Sequence, residues 1–295
     1  MSFPWHSGTH AALVARGNHS LYLTAAGPPR PMTNTHLQPA IIIEAGLCSG
    51  LTDYDRAGYG LSEPSPAQNY TAENRIRELA QLLDITGIEP PYVLVGHSYG
   101  GMLVREFLRQ YPDQMAGMVL VDSARTRTKL PSDTFDLLGE STYYGSVGLD
   151  ENHVVSEEEY AAIKEDEKRN MSTAEIEESY METSTQIVND ALPEGCPVLG
   201  DGRLSVIFAT ESVDFTKLYM YAVENNVGTE DARQRLAVRL QDMGRVDEYG
   251  QRAHLGLSRQ SRFVYAEGMY RTHRLQYVTP EVIRDEVTWV LGLSE

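Results

Sequence analysis

The 295-residue chain has little cysteine, little positive charge and no long apolar run. Two cysteines, Cys48 and Cys196, do not describe the disulfide framework that staples small secreted domains. Lys and Arg together number 25 against 42 Asp and Glu, a net charge of −17. A chain this acidic repels phosphate backbones and anionic headgroups, so nucleic acid is not an expected partner and a small-molecule substrate is. No stretch approaches 18 apolar residues, so no membrane span is expected. The opening residues, MSFPWHSGTHAALVARG, lack a basic start and an apolar stretch, so no secretory signal is expected and the cytosol is the default compartment. Hydrophobic residues make up 41% of the chain, enough to build a sizeable core. Oligomeric state is open at this level.

What is present alternates. Residues 11–26 read as two short strands around a Gly-Asn turn, and AIIIEAG (40–46) as a buried parallel strand. Thr71 opens a helix with Ile76, Leu79, Leu82 and Leu83 on one face, and Gly87 ends it. PYVLVGHS (91–98) is a strand running straight into the helical GGMLVREFLRQYP, and MAGMVLVDSA (115–124) is the next strand. RLSVIFAT (203–210) and SRFVYAEG (261–268) continue the series, with mostly helical, polar sequence over 215–258 between them. A last helix starts near Pro280, with Ile283, Val287, Val290 and Leu291 facing inward. This order predicts an α/β fold: a mostly parallel central sheet flanked by helices. Residues 127–199 break the pattern. The stretch 131–200 carries 17 acidic and three basic side chains, with helical segments near 156–169 and 173–190, and reads as a solvated helical surface. The expected organisation is a core of 1–126 and 200–295 with 127–199 inserted as an acidic helical cap.

Gly96-His97-Ser98-Tyr99-Gly100 matches G-x-S-x-G. An apolar strand precedes it directly and a helix follows directly, so the turn lifts the serine above the sheet edge as an exposed nucleophile. The start of the helix adds backbone N–H groups and positive dipole near the reacting oxygen. The segment VLVGHSYGG resembles the nucleophile elbow of the α/β-hydrolase superfamily, and YDRAGYGLSEPS (54–65) is similar to its Asp-Arg-x-Gly-x-Gly-x-Ser loop. The resemblance runs from about residue 11 to 292, is weak across the cap, and is to the serine-dependent, lidded members. Serine at the elbow argues against the haloalkane dehalogenases and epoxide hydrolases, which use Asp there.

The resemblance implies the order Ser, acid, His. Serine needs an adjacent base. Of the histidines after Ser98, His153 lies in the cap and His254 in a polar helical stretch. His273 follows the last strand, where the family places its base, although Arg271-Thr272 replace the usual small residues before it. His97 is expected to point away from Ser98 in a packing role. The acid must accept the histidine's N–H. Asp122, at the end of VLVD, is favoured over Asp214, which follows RLSVIFAT without the usual Gly-x-x-Asp loop; Glu211 is a further option. The implied oxyanion hole is the backbone N–H of Leu47 and of Tyr99. No cofactor and no metal are implied.

One departure is physical. Only residues 47–53 separate the strand ending at Gly46 from Tyr54-Asp55-Arg56. Parallel neighbours need a crossover of about a dozen residues. One helix–strand unit after the third strand is therefore missing, or the chain takes another route, and apolar strand surface there needs another cover. The expected activity is hydrolysis of an ester, thioester or lactone of a small, fairly apolar molecule. A cofactor-free lyase, isomerase or cyclase on the same Ser-His pair, and a non-catalytic binding variant, stand as alternatives.

Overall fold

The computed structural model describes residues 4–32, 37–49, 54–126, 129–268 and 271–293. The end of the short link (50–53) and residues 127 and 128, where the expected cap begins, lie outside them.

Two strands, β1 (Gly8–Arg16) and β2 (His19–Gly27), form an antiparallel hairpin around the expected turn. The main sheet has five parallel strands in the order β3 (Ala40–Glu44), β4 (Tyr92–His97), β5 (Met115–Val121), β6 (Arg203–Phe208) and β7 (Gln260–Tyr265). The hairpin stays a separate sheet and meets the loop beginning at Tyr54, through an isolated antiparallel bridge from Leu23 to Tyr54 and the bonds Asp55 N–H to Tyr22 O and Glu63 N–H to Ser20 O. Among the described residues β3 has a strand neighbour on one side only, so it is an edge. The short link thus leaves the sheet without the strand expected there.

Helix α1 (Ala72–Thr86) is capped as the sequence predicts. The Thr71 hydroxyl accepts from Asn74 N–H at 3.3 Å, and Gly87 closes the helix with a left-handed φ of 70°. Helix α2 (Tyr99–Gln110) starts directly after Ser98. Both pack on one face of the sheet, where Ile42, Leu94, Met118, Leu120, Leu204 and Val206 meet Ile76, Leu79, Leu103 and Phe107. Residues of opposite parity, Val93, Val95, Val119, Val121 and Ile207, face the other side. That side is covered by α8 (Pro280–Val290). The period-two alternation of strands thus feeds two cores.

Between β5 and β6 lie two short helices, α3 (Tyr143–Ser146) and α4 (Leu149–Asn152), and the 35-residue α5 (Glu157–Ala191). Ser156 and Glu159 form a reciprocal capping box at its start. The two helical stretches expected here are one continuous helix, because Met171-Ser172-Thr173 contains no Gly or Pro to break it. The solvated-surface reading also needs correction: Asp166, Glu167, Asn170, Glu177 and Ser184 form a buried polar stripe turned toward the core. Helices α6 (Glu211–Glu224) and α7 (Glu230–Arg252) pack on each other between β6 and β7. Among the described residues no helix is long and apolar enough to cross a membrane.

Candidate active site

The turn between β4 and α2 is strained in the way the motif requires. Ser98 sits at φ 53°, ψ −120°, a region costly for any side-chain-bearing residue, and its N–H is held by Val121 O at 3.0 Å. Two close approaches explain the flanking glycines. A Cβ on Gly96 would lie 2.6 Å from Gly101 Cα, and one on Gly100 would lie 2.1 Å from Glu44 O. No alanine fits either place without moving backbone.

Asp122, the residue after β5, also has a left-handed φ, 44°. Its Oδ1 accepts from Ala209 N–H (3.0 Å), Thr210 N–H (2.9 Å) and Gln251 Nε2 (2.9 Å). Its Oδ2 faces His273 Nδ1 at 2.7 Å. Burial opposes the charge of Asp122, but the hydrogen bond and charge of His273, with Gln251 and Thr210, outweigh it and hold the carboxyl below its ordinary range. Burial likewise opposes a charged His273. The Asp122 hydrogen bond, with the Glu211 and Asp122 charges, overcomes that and raises the imidazole above its ordinary value.

Asp214 lies on α6 and meets the same loop differently. Its Oδ2 accepts from the Thr272 hydroxyl (2.8 Å) and from the backbone N–H of His273 (2.8 Å). It holds the histidine's main chain, and Asp122 meets the ring. Burial is the main influence on Asp214 and raises its pKa. Glu211 lines the cavity below the site; His254 is fully buried, with Nε2 on Ser123 O at 2.8 Å, and His153 stacks on Tyr160. Neither histidine lines the cavity around Ser98.

His97 departs from the packing role expected of it. Its Nε2–H donates to His273 O at 2.8 Å, and the two rings lie 4.7 Å apart. Burial, then the nearby His273 charge, holds His97 well below its ordinary value, so it stays neutral and keeps this donor. The sequence placed it inside the motif; only the fold brought residue 273 to it.

Ser98, His273, Leu47 and Tyr99 line one cavity of about 640 Å³. Met102, Met171, Met181, Met243, Phe135 and Phe215 supply much of its wall, and α5 closes one side. Charged side chains, among them Lys164, Glu167, Lys168 and Arg274, line the same cavity. Among the described residues no hydrogen bond joins the Ser98 and His273 side chains, and no group of His, Cys, Asp and Glu is arranged to hold a metal ion. Asp247 on α7 also lines the cavity. Burial, then the Asp122 charge, pushes its carboxyl up to about 7, and Gln251 bridges it to Asp122. The i, i+4 spacing of Asp247 and Gln251 was the sequence signal for this pair, but nothing in the sequence aimed α7 at the site.

Against known proteins, the alpha/beta hydrolase fold profile matches residues 54–146. A Gibberella zeae protein named AB hydrolase superfamily protein is 30% identical over 305 residues, covering 92% of this chain and 91% of that protein. The chain belongs to the α/β-hydrolase superfamily. A Hormonema carpetanum protein named Probable transporter efuK is 26% identical over 320 residues; they cover 99% of this chain but only 44% of that protein's length. The solved structure of an esterase, RhEst1 from Rhodococcus sp. ECU1013, superposes with a TM-score of 0.55 at 14% identity, covering 97% of this α/β-hydrolase chain and 98% of the esterase. That likeness is one of fold.

Proposed function

We propose that this α/β-hydrolase cleaves an ester, thioester or lactone bond of a small, fairly apolar molecule through an acyl-enzyme. Ser98 is the nucleophile, His273 the base and Asp122 the acid. The backbone N–H groups of Leu47 and Tyr99 receive the oxyanion, and the insertion between β5 and β6 serves as the cap. The observation that carries this reading is the 2.7 Å contact of Asp122 Oδ2 with His273 Nδ1 in the cavity that Ser98 lines. With Nδ1–H donated to Asp122, the lone pair of Nε2 is free to take the serine proton. Serine attack then gives a tetrahedral intermediate. His273 returns the proton to the leaving group, and water deacylates the enzyme by the same route. The gap between the two side chains at rest is compatible with this, because such bonds commonly tighten only around substrate.

The test is covalent labelling by a fluorophosphonate. Wild-type protein should be labelled on Ser98, and Ser98→Ala should lose both the label and essentially all ester turnover, about 10⁶-fold. Folded protein that stays unlabelled would sink the reading. Incorporation of ¹⁸O from labelled water into the product separates hydrolysis from a lyase or isomerase reaction on the same pair.

A further inference from the structure

Beneath the short link lies a buried cluster of charges that the reaction above does not use. Arg56, in the Asp-Arg-x-Gly loop, is 4% exposed. Its Nη1 donates to Ala45 O at 2.9 Å and its Nη2 to Gly46 O at 3.0 Å. The same Nη2 donates to Glu177 Oε2 at 3.2 Å, from a helix 121 residues further along the chain. Glu177 is fully buried and also accepts from Tyr59 OH (2.6 Å) and Arg75 Nε (2.6 Å). One carboxylate on α5 therefore anchors the guanidinium that grips the loop after β3.

A peptide group is planar and trans, so its C=O and N–H point opposite ways. Fixing Gly46 O on Arg56 turns the Leu47 N–H away from Arg56. The peptide abuts the elbow: a Cβ on Gly46 would lie 3.4 Å from Ser98 Cβ, and Leu47 lines the cavity. We propose that Glu177 is a positioning residue: through Arg56 it orients the Gly46–Leu47 peptide so that the Leu47 N–H faces the place beside Ser98 that the substrate oxyanion takes. This rests on the serine-hydrolase reading. It also answers the missing strand. Among the described residues nothing pairs with the outer side of β3, so sheet hydrogen bonds hold the following loop from one side, and a buried ion pair from α5 holds it from the other.

Glu177 is suited to the task. Burial opposes its charge, but Arg56 and Arg75 outweigh burial and hold the carboxyl below its ordinary range. Glu44, whose Oε2 lies 3.5 Å from Arg56 Nη1, is instead pushed up by burial. Of the two carboxylates facing Arg56, Glu177 is the one whose charged form its surroundings favour.

The experiment measures kcat and KM on an activated p-nitrophenyl ester, fluorophosphonate labelling rate, and thermal melting for wild type, Glu177→Gln and Arg56→Lys. Glu177→Gln keeps the shape and removes the charge. Arg56→Lys keeps the charge but cannot hold two carbonyls side by side. If Glu177→Gln fails to fold, Arg56→Lys carries the test. Each variant should lose about 100-fold in kcat and in labelling rate, with KM changed by less than about 3-fold, the pattern of a misplaced oxyanion donor. A folded variant with wild-type kcat, whether its melting temperature falls or its KM rises, overturns the role of Glu177. Wild-type protein that neither labels nor turns over ester overturns the hydrolase reading first.

Discussion

The two flanks of the site are built by different means. On one flank, the ends of β4, β5 and β6 are held by the sheet itself. These strands are buried on both faces, and Asp122 is fixed by the backbone N–H groups of Ala209 and Thr210. On the other flank β3 is an edge. Ile42 is buried beneath α1 and α2, but Ile41 is 40% and Ile43 37% exposed on the face that α8 does not reach. The loop beyond β3 is gripped by side chains, Arg56 and Glu177, drawn from a distant loop and helix. Where ladder hydrogen bonds are available, they orient the loops at the strand ends at no cost in buried charge. Where a strand is missing, orientation comes from a buried ion cluster, which must be complete because an unpaired buried charge costs several kcal/mol.

The sharpest test lies on the sheet-built flank. Asp122 and Asp214 both touch the His273 loop, but at the ring and the backbone respectively. Asp122→Asn should lower kcat about 10⁴-fold, because the amide favours the wrong tautomer of the ring. Asp214→Asn should cost about 10-fold, through a looser loop alone; steady-state kinetics distinguishes them. Equal losses would erase the distinction between ring and backbone contact.

The second test concerns the edge. Ile42→Ala should destabilise the protein by about 2–4 kcal/mol in urea unfolding, as expected for a well-packed core position. Ile41→Ala should cost less than about 1 kcal/mol, because the side chain already meets solvent. Similar costs at the two positions would mean that the outer face of β3 is covered in solution.

The smallest effect is expected on α7, behind the Asp122 carboxylate. The Asp247 carboxyl is pushed up to about 7, above its unfolded value near 4. The folded state therefore binds this proton more tightly than the unfolded chain. The stability this confers is fully present below about pH 4 and is lost as pH rises through 7. Asp247→Asn should raise the melting temperature by a few degrees at pH 8, and the gain should shrink steadily as pH falls through 7 and vanish only below about pH 4. A gain that is constant with pH would remove Asp247 from the charge balance of the site.

Much of this was legible in the sequence. Thr71 and Gly87 bound α1 because their chemistry suits a helix start and a left-handed end. The G-x-S-x-G turn was readable because its strand and helix flank it directly. The seven-residue link told of a missing strand by simple reach. The sequence favoured Asp122 over Asp214 only because RLSVIFAT is not followed by the usual Gly-x-x-Asp loop; both residues converge on 272–273, and only coordinates separate ring contact from backbone contact. The burial of Glu177 was not readable. A glutamate on an acidic helix is ordinarily solvated, and its partners lie more than 100 residues away. His97 was misjudged because adjacency to Ser98 says which way a strand residue points, and not which distant loop comes to meet it.

The sequence alone determined the alternation of strands and helices, the strained serine turn and a link too short for a parallel crossover, since each depends on local propensity, steric room or chain length. Tertiary structure alone decided which carboxylate meets the His273 ring and that an acidic helix supplies the counter-charge to Arg56 under the loop after β3. These pairings join residues far apart along the chain, and their energy comes from burial, which local sequence does not encode.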